Sequence, residues 1–216
     1  MNAHAEQRVE YFGAPLDTAA TAAIVVHGRA QDPEWIREFL IDRLDAPGVA
    51  FVAPEAADNT WYPGGFMQEF DANEPHLSWA LERIEQLVVE LESTGRPRSE
   101  IFLLGFSQGA CLLAEYVSRH PGRFGGVAVL TGGLIGPPGT TWAGASLGGT
   151  PIVVATSDVD EWVPVARVEE TRDAFEARGA AVTWRVYPGM EHIINDDEIA
   201  LVAELLAQRG ERPDQS

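Results

Sequence analysis

Short apolar runs alternate with longer stretches of helical period along the whole chain. Ala22–Val26, Val49–Ala53, Ile101–Phe106, Gly126–Leu130, Pro151–Ala155 and Val182–Tyr187 are short, apolar and bounded by Gly, Pro or charged residues, which marks them as buried strands. Between them, Pro33–Leu44, Pro75–Thr94, Gln108–Arg119, Pro164–Arg178 and Asp196–Arg209 read as helices. Several open on Pro, whose missing N–H costs nothing in a first turn where it would have no partner. The alternation predicts βαβ units, hence an α/β fold with a mostly parallel central sheet flanked by helices. Thr131–Thr150 is rich in Gly, Pro and Thr and reads as a surface loop, because strand signals resume directly after it. With no internal repeat, the expectation is one domain over residues 1–216, ending in a frayed tail over Gly210–Ser216.

Composition narrows the setting. A chain of 216 residues, 45% of them hydrophobic, can bury one substantial core. No apolar run approaches the ~18 residues of a membrane span. The first ten residues, MNAHAEQRVE, are polar where a secretory signal would be apolar. Cys111 is the lone cysteine, so no intrachain disulfide forms, and the expected location is the cytoplasm. The net charge of −18 comes from 33 acids against 15 bases, every base being Arg. Such a chain repels nucleic acid, which is excluded as a partner. The acid excess also suits a cytoplasm of high salt, where screening relieves the self-repulsion.

Ile101–Ala110 reads IFLLGFSQGA, an apolar strand running through Gly105-Phe106-Ser107-Gln108-Gly109 into a helical pattern. This is the strand, sharp turn and helix of a nucleophile elbow, the mark of the α/β-hydrolase fold. The turn forces the serine into a strained backbone, and the residues two places either side need almost no side chain for strand and helix to approach. Ser107 is thereby the candidate nucleophile, at a helix N-terminus whose partial positive charge favours an oxyanion.

A serine hydroxyl needs a base, and the base needs a carboxylate to orient it; in this fold they follow in the chain order Ser, acid, His. Two histidines follow Ser107. His120 sits at the end of the nucleophile helix, ahead of every plausible acid, which leaves His192 in the loop after Val182–Tyr187. Asp158, Asp160 and Glu161 all stand in the loop after Pro151–Ser157, and spacing does not choose among them. GFSQG, DEWVP (Asp160 to Pro164) and YPGMEH (Tyr187 to His192) together resemble the carboxylesterase/phospholipase branch of the α/β-hydrolases, which includes the acyl-protein thioesterases. The resemblance runs from about Ile24 to His192 and implies cleavage of carboxylic esters or thioesters through an acyl-enzyme. It assigns the acid to Asp160, three residues before Val163-Pro164, and leaves Asp158 as a loop residue that serves as a cap or hydrogen-bonds to backbone.

His27-Gly28-Arg29-Ala30 is similar to that family's His-Gly-x-Gly loop, with Ala30 in place of the usual Gly. The fold supplies one oxyanion donor after the nucleophile and one from this loop, which points to the backbone N–H groups of Gln108 and Arg29. His27 comes too early in chain order for the base and is expected to brace the loop. Trp61, Tyr62, Phe66, Leu134 and Trp162 are candidates for lining a substrate pocket, with Ile135 beside them. The chain has no room for a large separate lid domain. No HExxH or other metal-ligand spacing occurs, and GRFGG (Gly122 to Gly126) precedes a strand instead of following one, so neither a metal nor a dinucleotide cofactor is expected. Cys111, one helical turn past Ser107, reads as a small buried residue. The expected partner is a small-molecule ester or acyl lipid; a homodimer stays open.

Overall fold

The computed structural model describes residues 2–208. The expected helix end at Arg209 and the tail over 210–216 lie outside them.

Seven strands pair in the order β1-β3-β2-β4-β5-β6-β7: β1 (Val9–Gly13), β2 (Thr21–Val26), β3 (Val49–Pro54), β4 (Ile101–Phe106), β5 (Gly126–Leu130), β6 (Pro151–Ser157) and β7 (Ala181–Tyr187). All pairs are parallel except β1 with β3. The six expected strands are present. The seventh, β1, escaped the sequence reading because it is a short, half-exposed edge strand whose burial carries no continuous apolar run. Strands β3, β4 and β5 are buried along their whole length, the signature of a parallel sheet covered on both faces.

The helices are α1 (Pro33–Phe39), α2 (His76–Ser93), α3 (Gln108–Arg119), α4 (Val165–Ala177) and α5 (Asp196–Ala207). Successive strand residues feed opposite layers: Ala22, Ile24 and Val26 enter the core under α2, α3 and α4, while Ala23 and Val25 enter the core under α1 and α5. This is the α/β-hydrolase architecture expected from the sequence, and no large lid is inserted among the described residues.

Two expectations need correction. The helix read over Pro33–Leu44 stops at Phe39; Leu40 leaves helical geometry at φ −127°, ψ −63°, and a short 3₁₀ turn covers Ile41–Arg43. That break lets Leu40 and Ile41, adjacent in sequence, enter the same core layer. Thr131–Thr150 holds no regular element, yet it is not a surface loop at its start, where Thr131 to Gly136 are buried. Arg167 of α4, itself buried, satisfies the carbonyls such a segment exposes, its Nη1 donating to Leu134 O at 3.1 Å and Gly136 O at 2.7 Å.

The parallel register has one consequence for function. Val26 of β2 pairs with Gly105 of β4, and Gly105 with Val129 of β5, so the loops after these strands leave one edge of the sheet. The loops after β6 and β7 leave the same edge.

Candidate active site

Ser107 stands between β4 and α3 at φ 54°, ψ −120°, a conformation an L-residue adopts only under constraint. Its N–H donates to Leu130 O at 3.0 Å, anchoring the turn to β5. A Cβ on Gly105 would meet the Ala110 backbone at 2.8 Å. On Gly109 it would run into the carbonyls of Val26 and His27, closer than any real Cβ contact. Both glycines are therefore required by close approach, as the GxSxG spacing implied.

The structure brings Ser107, His192 and Asp160 together. His192 Nε2 lies 2.8 Å from Ser107 Oγ, and His192 Nδ1 lies 2.6 Å from Asp160 Oδ2. A carboxylate only accepts, so Nδ1 carries the proton and Nε2 is free to accept from the serine hydroxyl. The side chain of Asp160 is 0% exposed and that of His192 22%. The second carboxylate oxygen of Asp160 accepts from the N–H groups of Trp162 and Val163, each at 2.8 Å, which fixes the rotamer. Asp158, the alternative that spacing left open, points elsewhere and accepts from Gly189 N at 2.7 Å.

Supports with no sequence signature hold the His192 loop. Ser157 Oγ donates to Met190 O at 2.6 Å, and Phe106 packs its ring 5.0 Å from the imidazole. Beyond the loop, Asn195 and Glu198 form a reciprocal capping box at the start of α5, each side chain accepting from the other's N–H at 2.9 Å. Glu198 is fully buried, its Oε1 has no partner, and burial pushes its carboxyl up to about 7.

The loop after β2 is braced from behind. His27 is buried; its Nδ1 donates to Gly28 O at 2.7 Å and its Nε2 accepts from Ala56 N at 3.1 Å, and burial lowers its pKa, keeping the ring neutral. Ala30 takes φ 58°, the left-handed geometry a Gly would adopt freely, and its N–H donates to Asn59 O at 2.8 Å. The Arg29 N–H has no protein acceptor among the described residues, and the Gln108 N–H, first in α3, has no intrahelical partner. The Gln108 side chain is committed, accepting from Trp61 N at 3.0 Å and donating to Tyr62 O at 2.8 Å.

Residues 14–209 match the model of the phospholipase/carboxylesterase family. The chain belongs to that family. It is similar to a solved phospholipase/carboxylesterase from Dyadobacter fermentans DSM 18053, with 37% identity, a TM-score of 0.89, and coverage of 94% of this chain and 97% of that one. A probable carboxylesterase of Oryza sativa subsp. japonica is 28% identical over 121 residues, 56% of this chain and 46% of that protein. Acyl-protein thioesterase 1 of Eremothecium gossypii is 26% identical over 133 residues, 57% of this chain and 55% of that protein. The chain thus spans about half the length of these two curated relatives.

In this phospholipase/carboxylesterase family member, Ser107 and His192 open into a cleft of about 300 Å³. Tyr62, Phe66, Trp162, Val163 and Cys111 are among the residues that line it. Trp162 is 73% exposed and forms the rim. Trp61 and Leu134 do not line it: both are fully buried, Leu134 in the segment held by Arg167, Trp61 packed between the tilted rings of His4 and His27 at 5.4 and 5.1 Å. Trp61 instead supports the wall, its indole donating to His27 O at 2.9 Å. His4 was invisible to sequence reasoning, as one polar residue in a polar leader; it bridges Trp61 O at 3.0 Å and Ala57 N at 3.1 Å. Cys111 is buried as expected, its thiol pushed up to about 12, which makes it inert at neutral pH. No helix among the described residues is long and apolar enough to cross a membrane.

Proposed function

We propose that this family member hydrolyses carboxylic esters or thioesters through an acyl-enzyme on Ser107, with His192 as base and Asp160 as its orienting acid. The observation that carries the reading is the unbroken pair of hydrogen bonds from Ser107 through His192 to Asp160, 2.8 and 2.6 Å long. Ser107 Oγ attacks the carbonyl carbon while its proton passes to His192 Nε2, and Asp160 stabilises the imidazolium. The oxyanion takes hydrogen bonds from the N–H groups of Arg29 and Gln108, neither of which has a protein acceptor among the described residues. Collapse breaks the bond to the leaving alcohol or thiol, which receives the His192 proton. Water then attacks the acyl group with His192 again as base, and the free acid leaves Ser107 restored.

The proposed substrate is a small-molecule ester or acyl lipid, admitted directly because no large lid among the described residues covers the cleft. The net charge of −18 argues against nucleic acid as a partner. A cytoplasmic setting is supported by the single buried thiol. A fluorophosphonate probe tests the reading: the wild type is labelled and Ser107→Ala is not. Equal labelling of the two proteins, or an unlabelled wild type, overturns it.

A further inference from the structure

The cleft beside Ser107 carries one fixed charge, and it is positive. Arg29 contributes to the wall together with Gln31, Tyr62, Phe66 and Trp162, and no carboxylate among the described residues does. Acids abound in the neighbouring turns, but Asp58, Glu161 and Glu191 are exposed and none reaches the wall. In a chain with 33 acids and 15 bases, an arginine in a cleft without an acidic neighbour is not what chance placement favours.

The way the guanidinium is held sharpens the point. Its Nη1 donates to Pro63 O at 2.9 Å, and its Nη2 donates to Tyr62 O at 2.9 Å and Gly64 O at 2.6 Å. All three acceptors are neutral carbonyls, and no carboxylate among the described residues lies within ion-pair distance, unlike the case of Arg8, Arg43 or Arg98. The contacts fix the group in place without cancelling its charge. Of five N–H donors two remain, one on Nε and one on Nη1. The same residue offers its backbone N–H to the oxyanion, so an anion bound by the side chain lies close to the reacting carbonyl. Arg29 is itself exposed at the mouth of the cleft, so water screens the contact and its worth is that of a geometrically fixed surface ion pair. A cavity of about 300 Å³ is at the small end of ligand sites.

We propose that Arg29 is a specificity-determining residue that selects small esters bearing an anionic oxygen group, a carboxylate or a phosphate, over neutral esters of the same length. The proposal rests on the esterase reading above. It names the side chain of Arg29 as the substrate's counter-ion, a role separate from that of its backbone N–H.

The test compares kcat/KM for the 4-nitrophenyl half-ester of adipic acid with that for 4-nitrophenyl hexanoate. The wild type should prefer the anionic ester in spite of its own net charge. In Arg29→Gln the ratio should fall about three- to fivefold, the worth of a well-fixed ion pair open to solvent. In Arg29→Lys, which keeps the charge, most of the ratio should survive even where both rates drop. A role confined to holding the Tyr62–Gly64 turn would lower both rates together and leave the ratio unmoved, and that result overturns the proposal. If the variants do not fold, the wild-type ratio decides alone: a value below one refutes the assignment. Monomethyl succinate and inorganic phosphate, tried as competitive inhibitors of hexanoate hydrolysis at fixed ionic strength, tell a carboxylate site from a phosphate site. Inhibition by neither refutes both. Failure to hydrolyse either ester would strike the esterase reading instead.

Discussion

Glu198 is buried at the start of α5 with one oxygen bonded to Asn195 N–H and the other to nothing, so the fold favours its neutral form. A carboxyl that titrates at about 7 instead of 4.5 binds its proton more tightly in the native than in the unfolded chain across that interval. The sign follows: its contribution to stability is fully present below pH 4.5 and is lost as the pH climbs to about 7. At 1.36 kcal/mol per pH unit the loss is about 3 kcal/mol. Glu198→Gln keeps an acceptor for Asn195 and cannot ionise. Its stability relative to the wild type should therefore grow by about 3 kcal/mol between pH 4.5 and pH 8, equivalent to roughly 6–12 °C in Tm for a chain of this size. Thermal unfolding of both proteins across that range reads the difference directly, and comparing the two cancels the many surface acids they share. A difference that stays flat with pH would refute the reasoning.

Two further substitutions probe the site. Asp160→Asn should lower kcat by about 10⁴ with the fold intact, because the imidazole loses the partner that fixes its tautomer. Asp158→Asn should change it by less than about tenfold; steady-state kinetics on one ester substrate reads both, and the reverse ranking would reassign the acid. Gly109→Ala forces a methyl group into the carbonyls of Val26 and His27 and should cost about 1–3 kcal/mol along with most of the activity, measured by calorimetry and turnover. Unchanged values of both would show that the elbow tolerates a side chain.

The elbow was legible in the sequence because its constraint is local: Gly105 and Gly109 announce the close approach that the backbone then shows. Five of the six expected strands were legible because continuous apolar runs have one home in such a fold; the sixth, β7, is a half-exposed edge strand and not the buried one expected over Val182–Tyr187. The choice between Asp158 and Asp160 was not local. Both follow β6 in one short loop, and only the placement of Gly189 and His192, brought in by β7, separates their roles. Trp61 and Leu134 looked like pocket walls because a large apolar residue in a loop reads the same whether it faces a cleft or packs behind one. His4 and Ser157 left no trace, since each acts through the backbone of a segment distant in sequence, whereas Asn195 and Glu198 stand at the local spacing of a capping box that the reading passed over.

Ser107 and His192 stand 85 residues apart in the chain and 2.8 Å apart in space. What sets the second number is the registration of β4 through β7, in which Phe106 lies opposite Leu130 and Ser157 opposite Tyr187. The exposed turns within the crossovers between these strands can vary in length without touching it. A slip of β7 by a single residue would touch it: it would carry the loop about 3.3 Å along the sheet and turn every side chain of the strand to the opposite face. Chemistry in this molecule is insured against change in its connections and exposed to change in its pairing, so variation between such proteins should gather in the crossovers while the strand ends stand still.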